Sequence, residues 1–173
     1  LVDEQNASRG EAPAATPEMD RLVRTIWRLR QADGCPWDRE QTHGSITKNM
    51  VEEAYEAVDA IEANDVAHLC EELGDVLEQV LLHAQIAADA GEFTIEDVAH
   101  GLNEKLVRRH PHVFGDLAAA SDGQAPTGYE QAHDGNRVLD IWDDVKRLGR
   151  EARGQLSDVE PGLLDSVPAS LPA

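Results

Sequence analysis

The sequence predicts an all-α protein. Apolar residues recur at three- and four-residue steps in successive segments. No stretch alternates convincingly enough to be a strand, and no internal repeat is visible. Helix caps and breakers, not hairpin turns, separate the periodic segments.

Residues 1–16 are rich in Ala, Pro, Glu and Ser and are expected to be disordered. The first helix starts at Thr16-Pro17, with Thr16 as N-cap and Pro17 in the first turn. Met19, Leu22, Val23, Ile26 and Leu29 mark its apolar side, and it ends before Gly34. Cys35-Pro36-Trp37-Asp38 reads as a compact loop, with Trp37 seeking burial. A second helix runs over 45–63. Its stripe is Val51, Ala54, Tyr55, Val58, Ile61 and Glu62, with Glu53 and Glu56 on the other side. Ala63-Asn64-Asp65 is a turn, and Asp65 caps a third helix over 66–90. The main stripe of that helix is Val66, Leu69, Cys70, Leu73, Val76, Leu77, Val80 and Ala84. Its acidic face, Glu72 and Asp75, continues through Gln79 into Leu82 and Ile86. Two faces to bury predict a further helix against the second, from this chain or from another subunit. Gly91 closes this helix.

Thr94 and Asp97 stand in capping-box positions for a fourth helix, which Pro111 ends. Residues 116–135, rich in Gly, Ala and Asp, are expected to be mobile. A last helix over 137–153 carries Val138, Ile141, Trp142 and Val145. One helical domain over 17–153 is therefore expected, followed by an irregular tail over 154–173. The start at Leu1 without methionine, and the end at Leu171-Pro172-Ala173, lead to the expectation of a truncated or processed chain.

The 173 residues hold 34 acids against 15 Lys and Arg, a net charge of −19. Nucleic acid is excluded as a bulk partner, since backbone binding needs a basic surface. A small polyanion carried with a divalent metal is not excluded. No apolar run approaches the roughly 20 residues that span a bilayer, and no signal-peptide core is present. Cys35 and Cys70 have neither zinc spacing nor a disulfide framework, so a cytoplasmic location is expected.

Four acids carry the most information. Glu53 and Glu56 form one pair three residues apart, and Glu72 and Asp75 form another. Folding the chain back at Asn64 sets Glu56, eight residues before it, level with Glu72, eight after. Glu53 and Asp75, each eleven away, meet one level further along. Four converging carboxylates repel unless a hard cation sits among them, and Mg²⁺ takes oxygen ligands of this kind. The bland alternative for any one pair is a solvated acidic face. Two pairs at matched heights favour a metal.

Lys105 and Arg109 lie four apart, a surface pair or an anion-binding pair. Trp142 and Lys146 are again four apart. Trp142 is either core or a platform for a base, with Lys146 reaching phosphate. The seven histidines lack ligand spacing, and no glycine-rich phosphate loop or dinucleotide fingerprint is present.

Cys35-Pro36-Trp37-Asp38-Arg39-Glu40-Gln41-Thr42, Val51-Glu52-Glu53-Ala54-Tyr55-Glu56, Glu72-Leu73-Gly74-Asp75 and Arg108-Arg109-His110-Pro111-His112-Val113-Phe114 together resemble the MazG family of nucleoside triphosphate pyrophosphohydrolases. The resemblance extends from about Met19 to Ala173. It implies the all-α helical bundle of that family, dimerising. It implies Mg²⁺-dependent hydrolysis of NTPs and dNTPs to the monophosphate and pyrophosphate, in nucleotide-pool sanitation or control of NTP levels, with Mn²⁺ as an alternative ion. The family's metal-binding elements fall on Glu53, Glu56, Glu72 and Asp75. Its phosphate-binding pair falls on Lys105 and Arg109, and its nucleotide-contacting Trp and Lys on Trp142 and Lys146. Glu53 and Glu56 are then the candidates to take the proton of the attacking water. Some relatives carry two copies of the domain. The alternative is thus a weak or inactive copy serving as a dimerisation or nucleotide-sensing module.

Overall fold

The computed structural model describes residues 17–114 together with Trp142, Asp143 and Arg147. The expected N-terminal disorder, the 116–135 loop, the body of the last helix and the tail lie outside the described residues. Helices are the only regular elements among those described: α1 Pro17–Leu29, α2 Pro36–Glu40, α3 Thr47–Glu62, α4 Val66–Ala90, α5 Ile95–Arg109 and α6 Pro111–Phe114. None is long and apolar enough to cross a membrane. The chain divides into two compact units, Leu1–Ala99 and His100–Ala173. Each is described by itself.

In the first unit α4 is the hub, with α3 and α1 packed on it. Pro17 opens α1, where its missing N–H costs no helical bond. After α1, Gly34 is needed for close approach, because a Cβ there would collide with the Leu29 carbonyl. The Cys35 N–H donates to that same carbonyl at 2.7 Å. The expected Cys35–Asp38 loop is instead the start of a short helix, α2, with Pro36 in its first turn. Trp37 is 54% exposed, contrary to expectation, and Asp38 beside it is buried. A five-residue helix cannot bury both sides.

The Arg30 side chain, 8% exposed, holds this region together. Its Nε donates to Asp89 Oδ2 at 2.6 Å, near the end of α4. Its Nη1 donates to the carbonyls of Asp38 and Gln41 on either side of the end of α2. One guanidinium thus ties α2 to α4.

The expected caps within the described residues are in place, while Thr16 lies outside them. Asp65 Oδ1 accepts from the His68 N–H at 3.1 Å. Asn64 takes the left-handed φ of 55° that the α3–α4 turn requires. Gly91 ends α4 at φ 73°. The Thr94 N–H donates to Asp97 Oδ2 at 2.8 Å, and the Asp97 N–H donates back to Thr94 Oγ1 at 3.3 Å.

The apolar stripe of α1 meets the core as periodicity suggests, with Ile26 buried and Leu22, Val23 and Leu29 packed beside it, but those of α3 and of the first half of α4 do not. The buried cluster is Ile26, Ile46, Leu81, Leu82 and Ile86. On α4 the buried face therefore continues the acidic side through Glu72, Gln79, Leu82 and Ile86. On α3 the buried residues are Ala57 and Ala60, which share a face with Glu53 and Glu56. Val51, Tyr55, Val58, Ile61, Val66 and Leu73, expected to be core, are all exposed. Small residues on α3 allow close approach to α4, so the seam between the two helices carries the acids. Leu82 and Ile86 are covered within this unit and no longer argue for a second subunit.

A histidine pair joins the loop before α3 to α4. The Nδ1 atoms of His43 and His83 lie 2.8 Å apart. The ring planes differ by 5° and the centroids by 5.1 Å. With ring bonds of about 1.33 Å, each nitrogen lies about 1.1 Å from its ring centre. The two centroids and two nitrogens are then nearly collinear. The rings meet edge to edge through one N–H···N bond, not face to face. His83 Nε2 is buried without a partner. Burial first, and His43 second, lower the His83 pKa.

A histidine held neutral in the fold binds more protons when unfolded. Its contribution to stability is therefore complete above the unfolded pKa of about 6.5 and is lost as pH falls through the folded value. Melting temperatures should fall with acidification below about pH 6.5. His83→Asn, which keeps a donor near the Nδ1 position, should flatten that fall. An unchanged slope in thermal melts of the variant would exclude His83 as its source.

Candidate metal centre

α3 and α4 form an antiparallel hairpin about Asn64, and their shared seam gathers the acids. Glu53 and Glu56 come from α3 and Glu72 from α4. One carboxylate oxygen of each lies within 4.8 Å of the others. Asp75, half-buried one turn beyond Glu72, stands outside this trio. Its charge nonetheless acts on Glu53.

Glu72 is only 6% exposed. Its Oε1 lies 2.7 Å from His68 Nε2. Its Oε2 is buried and has no partner. Among the described residues no lysine or arginine pairs with any of the four acids. Lys48 is nearby in sequence but pairs with Glu52 at 2.6 Å. The pKa of Glu53 is raised, by burial first and then by Glu56, Asp75, Glu72 and Glu52. Three carboxylates, one of them with a buried oxygen left without a hydrogen-bond partner, make a donor set suited to a divalent cation.

The acidic field extends beyond the four acids of the seam. The pKa of Glu78 is raised by burial, then by Asp75 and by Asp38. Asp38 is 7% exposed and reaches this region from α2. The sequence signal for Asp38 was weak: it is an acid beside a tryptophan that itself looked like the buried member of the pair.

In the second unit Lys105 and Arg109 are half-buried, four apart on α5. Neither forms an ion pair among the described residues. Trp142 meets His110 edge to face, with centroids 5.1 Å apart and planes at 79°. The His110 ring is held in turn by a hydrogen bond from Nδ1 to the Leu106 carbonyl at 2.6 Å. Trp142 Nε1 is buried without a partner. Lys146 lies outside the described residues.

Residues 41–114 match the MazG nucleotide pyrophosphohydrolase domain. The chain is 43% identical over 144 residues to the nucleoside triphosphate pyrophosphohydrolase/pyrophosphatase MazG of Thermotoga maritima, covering 82% of this chain and 50% of that one. It is 40% identical over 157 residues to the nucleoside triphosphate pyrophosphohydrolase of Escherichia coli K12, covering 90% and 53%. It is also 49% identical over 148 residues to the uncharacterized protein YabN of Bacillus subtilis, covering 86% of this chain and 26% of that protein. The chain thus spans about half the length of the first two relatives and about a quarter of the third. Among solved structures, the mazG-related protein from Thermotoga maritima matches with a TM-score of 0.57 and 27% identity, over 74% of this chain and 98% of that one. The matched segment contains all four seam acids, and with these relatives it places the chain in the MazG family.

Proposed function

We propose that this chain hydrolyses nucleoside triphosphates, both NTPs and dNTPs, to the monophosphate and pyrophosphate. The observation that carries the reading is the convergence of Glu53, Glu56 and Glu72, the last of which keeps a buried oxygen without a hydrogen-bond partner. The names of the matched relatives supply the reaction class.

In this reading Glu53, Glu56, Glu72 and Asp75 hold Mg²⁺, with Mn²⁺ as a substitute. The bound ion supplies charge neutralisation and polarisation of the α-phosphorus and the attacking water. The chain's own residues do the rest. Glu53 is placed to take a proton from that water, with Glu56 as the alternative acceptor. Lys105 and Arg109 neutralise charge on the departing pyrophosphate, Arg109 through a planar fork and Lys105 as a point charge. Trp142 offers an aromatic face to the base, with Lys146 directed to phosphate.

The same reading makes the protein a homodimer in the cytoplasm. Val51, Tyr55, Val58 and Ile61 on α3, with Val66 and Leu73 on α4, leave an apolar surface that water does not favour. Both described cysteines are free thiols, as a reducing compartment allows. The net charge of −19 speaks against nucleic acid as a partner.

Incubation with mixed dNTPs and Mg²⁺ should release pyrophosphate, and EDTA should stop it. Orthophosphate as the first product would replace this reading with another phosphohydrolase. Glu53→Gln and Asp75→Asn should each lower turnover by about 10²-fold or more while the helical circular dichroism persists. Full activity in both would refute the assigned roles. Val58→Glu combined with Ile61→Glu should convert a dimer to a monomer by light scattering. A wild-type monomer at micromolar concentration would overturn the dimer.

A further inference from the structure

We infer that His68 is a positioning residue for the metal centre, clamping Glu72 so that one carboxylate oxygen is presented to the cation. This rests on the reading of the seam as a metal site. His68 lies in the first turn of α4, where its backbone N–H is spent on Asp65. Its ring is therefore set at the start of a well-capped helix, four residues before Glu72 on the same face. The contact is 2.7 Å between His68 Nε2 and Glu72 Oε1.

Burial differs sharply across this bond. The His68 side chain is 48% exposed and that of Glu72 is 7% exposed. The histidine thus closes the solvent side of the acid. Oε1 is occupied, and Oε2 is the buried oxygen left without a partner. Glu72 belongs to the trio whose oxygens lie within 4.8 Å of one another. Without His68, a carboxylate facing Glu53 and Glu56 would gain by turning both oxygens toward water. The imidazole, 2.7 Å from Oε1, opposes that rotation before any cation arrives. Bonds from outside the ligand set orient ligating carboxylates in this way, and their loss typically costs ~10- to 100-fold in metal affinity.

The test measures Mn²⁺ binding to the full chain by electron paramagnetic resonance, without substrate. His68→Ala should weaken Mn²⁺ affinity about 10-fold or more, with little change in the metal-free melting temperature. His68→Gln, whose side-chain amide can donate to Oε1, should recover most of the affinity. His68→Leu takes the place of the alanine variant if the latter is unfolded at the assay temperature. Wild-type affinity in His68→Ala or His68→Leu would overturn the positioning role while leaving the metal centre intact. Equal loss in His68→Gln would overturn the account in which a polar contact to Oε1 sets the carboxylate. A wild-type chain that binds no Mn²⁺ would instead overturn the metal reading on which the inference rests.

Discussion

The seam between α3 and α4 is the constraint on which the rest of the first unit depends. It is closely approached, and it is acidic. Ala57 and Ala60 bring the helices together, and the same face carries Glu53 and Glu56 toward Glu72. Burying a carboxylate is unfavourable unless it is paired or hydrogen-bonded. Glu72 is bonded through one oxygen only. The seam therefore stores an electrostatic demand that a divalent cation would satisfy. The fold around it supplies the rigidity that keeps the acids from dispersing into solvent.

That rigidity comes from polar ties at both ends of α4 as well as from apolar packing. Asp65 and Asn64 define where α4 begins. Gly91 defines where it ends, and Arg30 anchors the region near Asp89 to the carbonyls around α2. The edge-to-edge bond between His43 and His83 holds the approach to α3 on the middle of α4. Ile46, fully buried just before α3, completes the attachment. These ties fix the rotation and register of α3 against α4, and hence which carboxylates meet.

Much of this was legible along the chain. The helix boundaries followed from caps and breakers whose physics is local: Asp65 for α4, Thr94 with Asp97 for α5, and Gly91 between them. Equal spacing about Asn64 anticipated that Glu56 and Glu72 would come together. The motifs of the MazG family lay on the same segments. Other features were not legible. Periodicity assigned the core to the most apolar stripe of each helix, yet Val58, Ile61 and Leu73 are exposed and Glu72 and Gln79 are buried. The number of apolar groups on a face does not say which neighbour that face meets. Trp37 was assigned to the interior by its size, but α2 is too short to bury it along with Asp38.

By itself the sequence determined the four longer helices among the described residues, the turn at Asn64 and the acids that the turn would bring level. Each depends on interactions within a few residues, or on simple fold-back symmetry. Only the tertiary structure decided which face turned inward. It also decided that Glu72 would have one oxygen against His68 and the other without a hydrogen-bond partner, and that Asp38 would join the acidic field. Those outcomes depend on the rotation of one helix against another. Small side chains and long-range polar ties set that rotation, and linear spacing does not encode it.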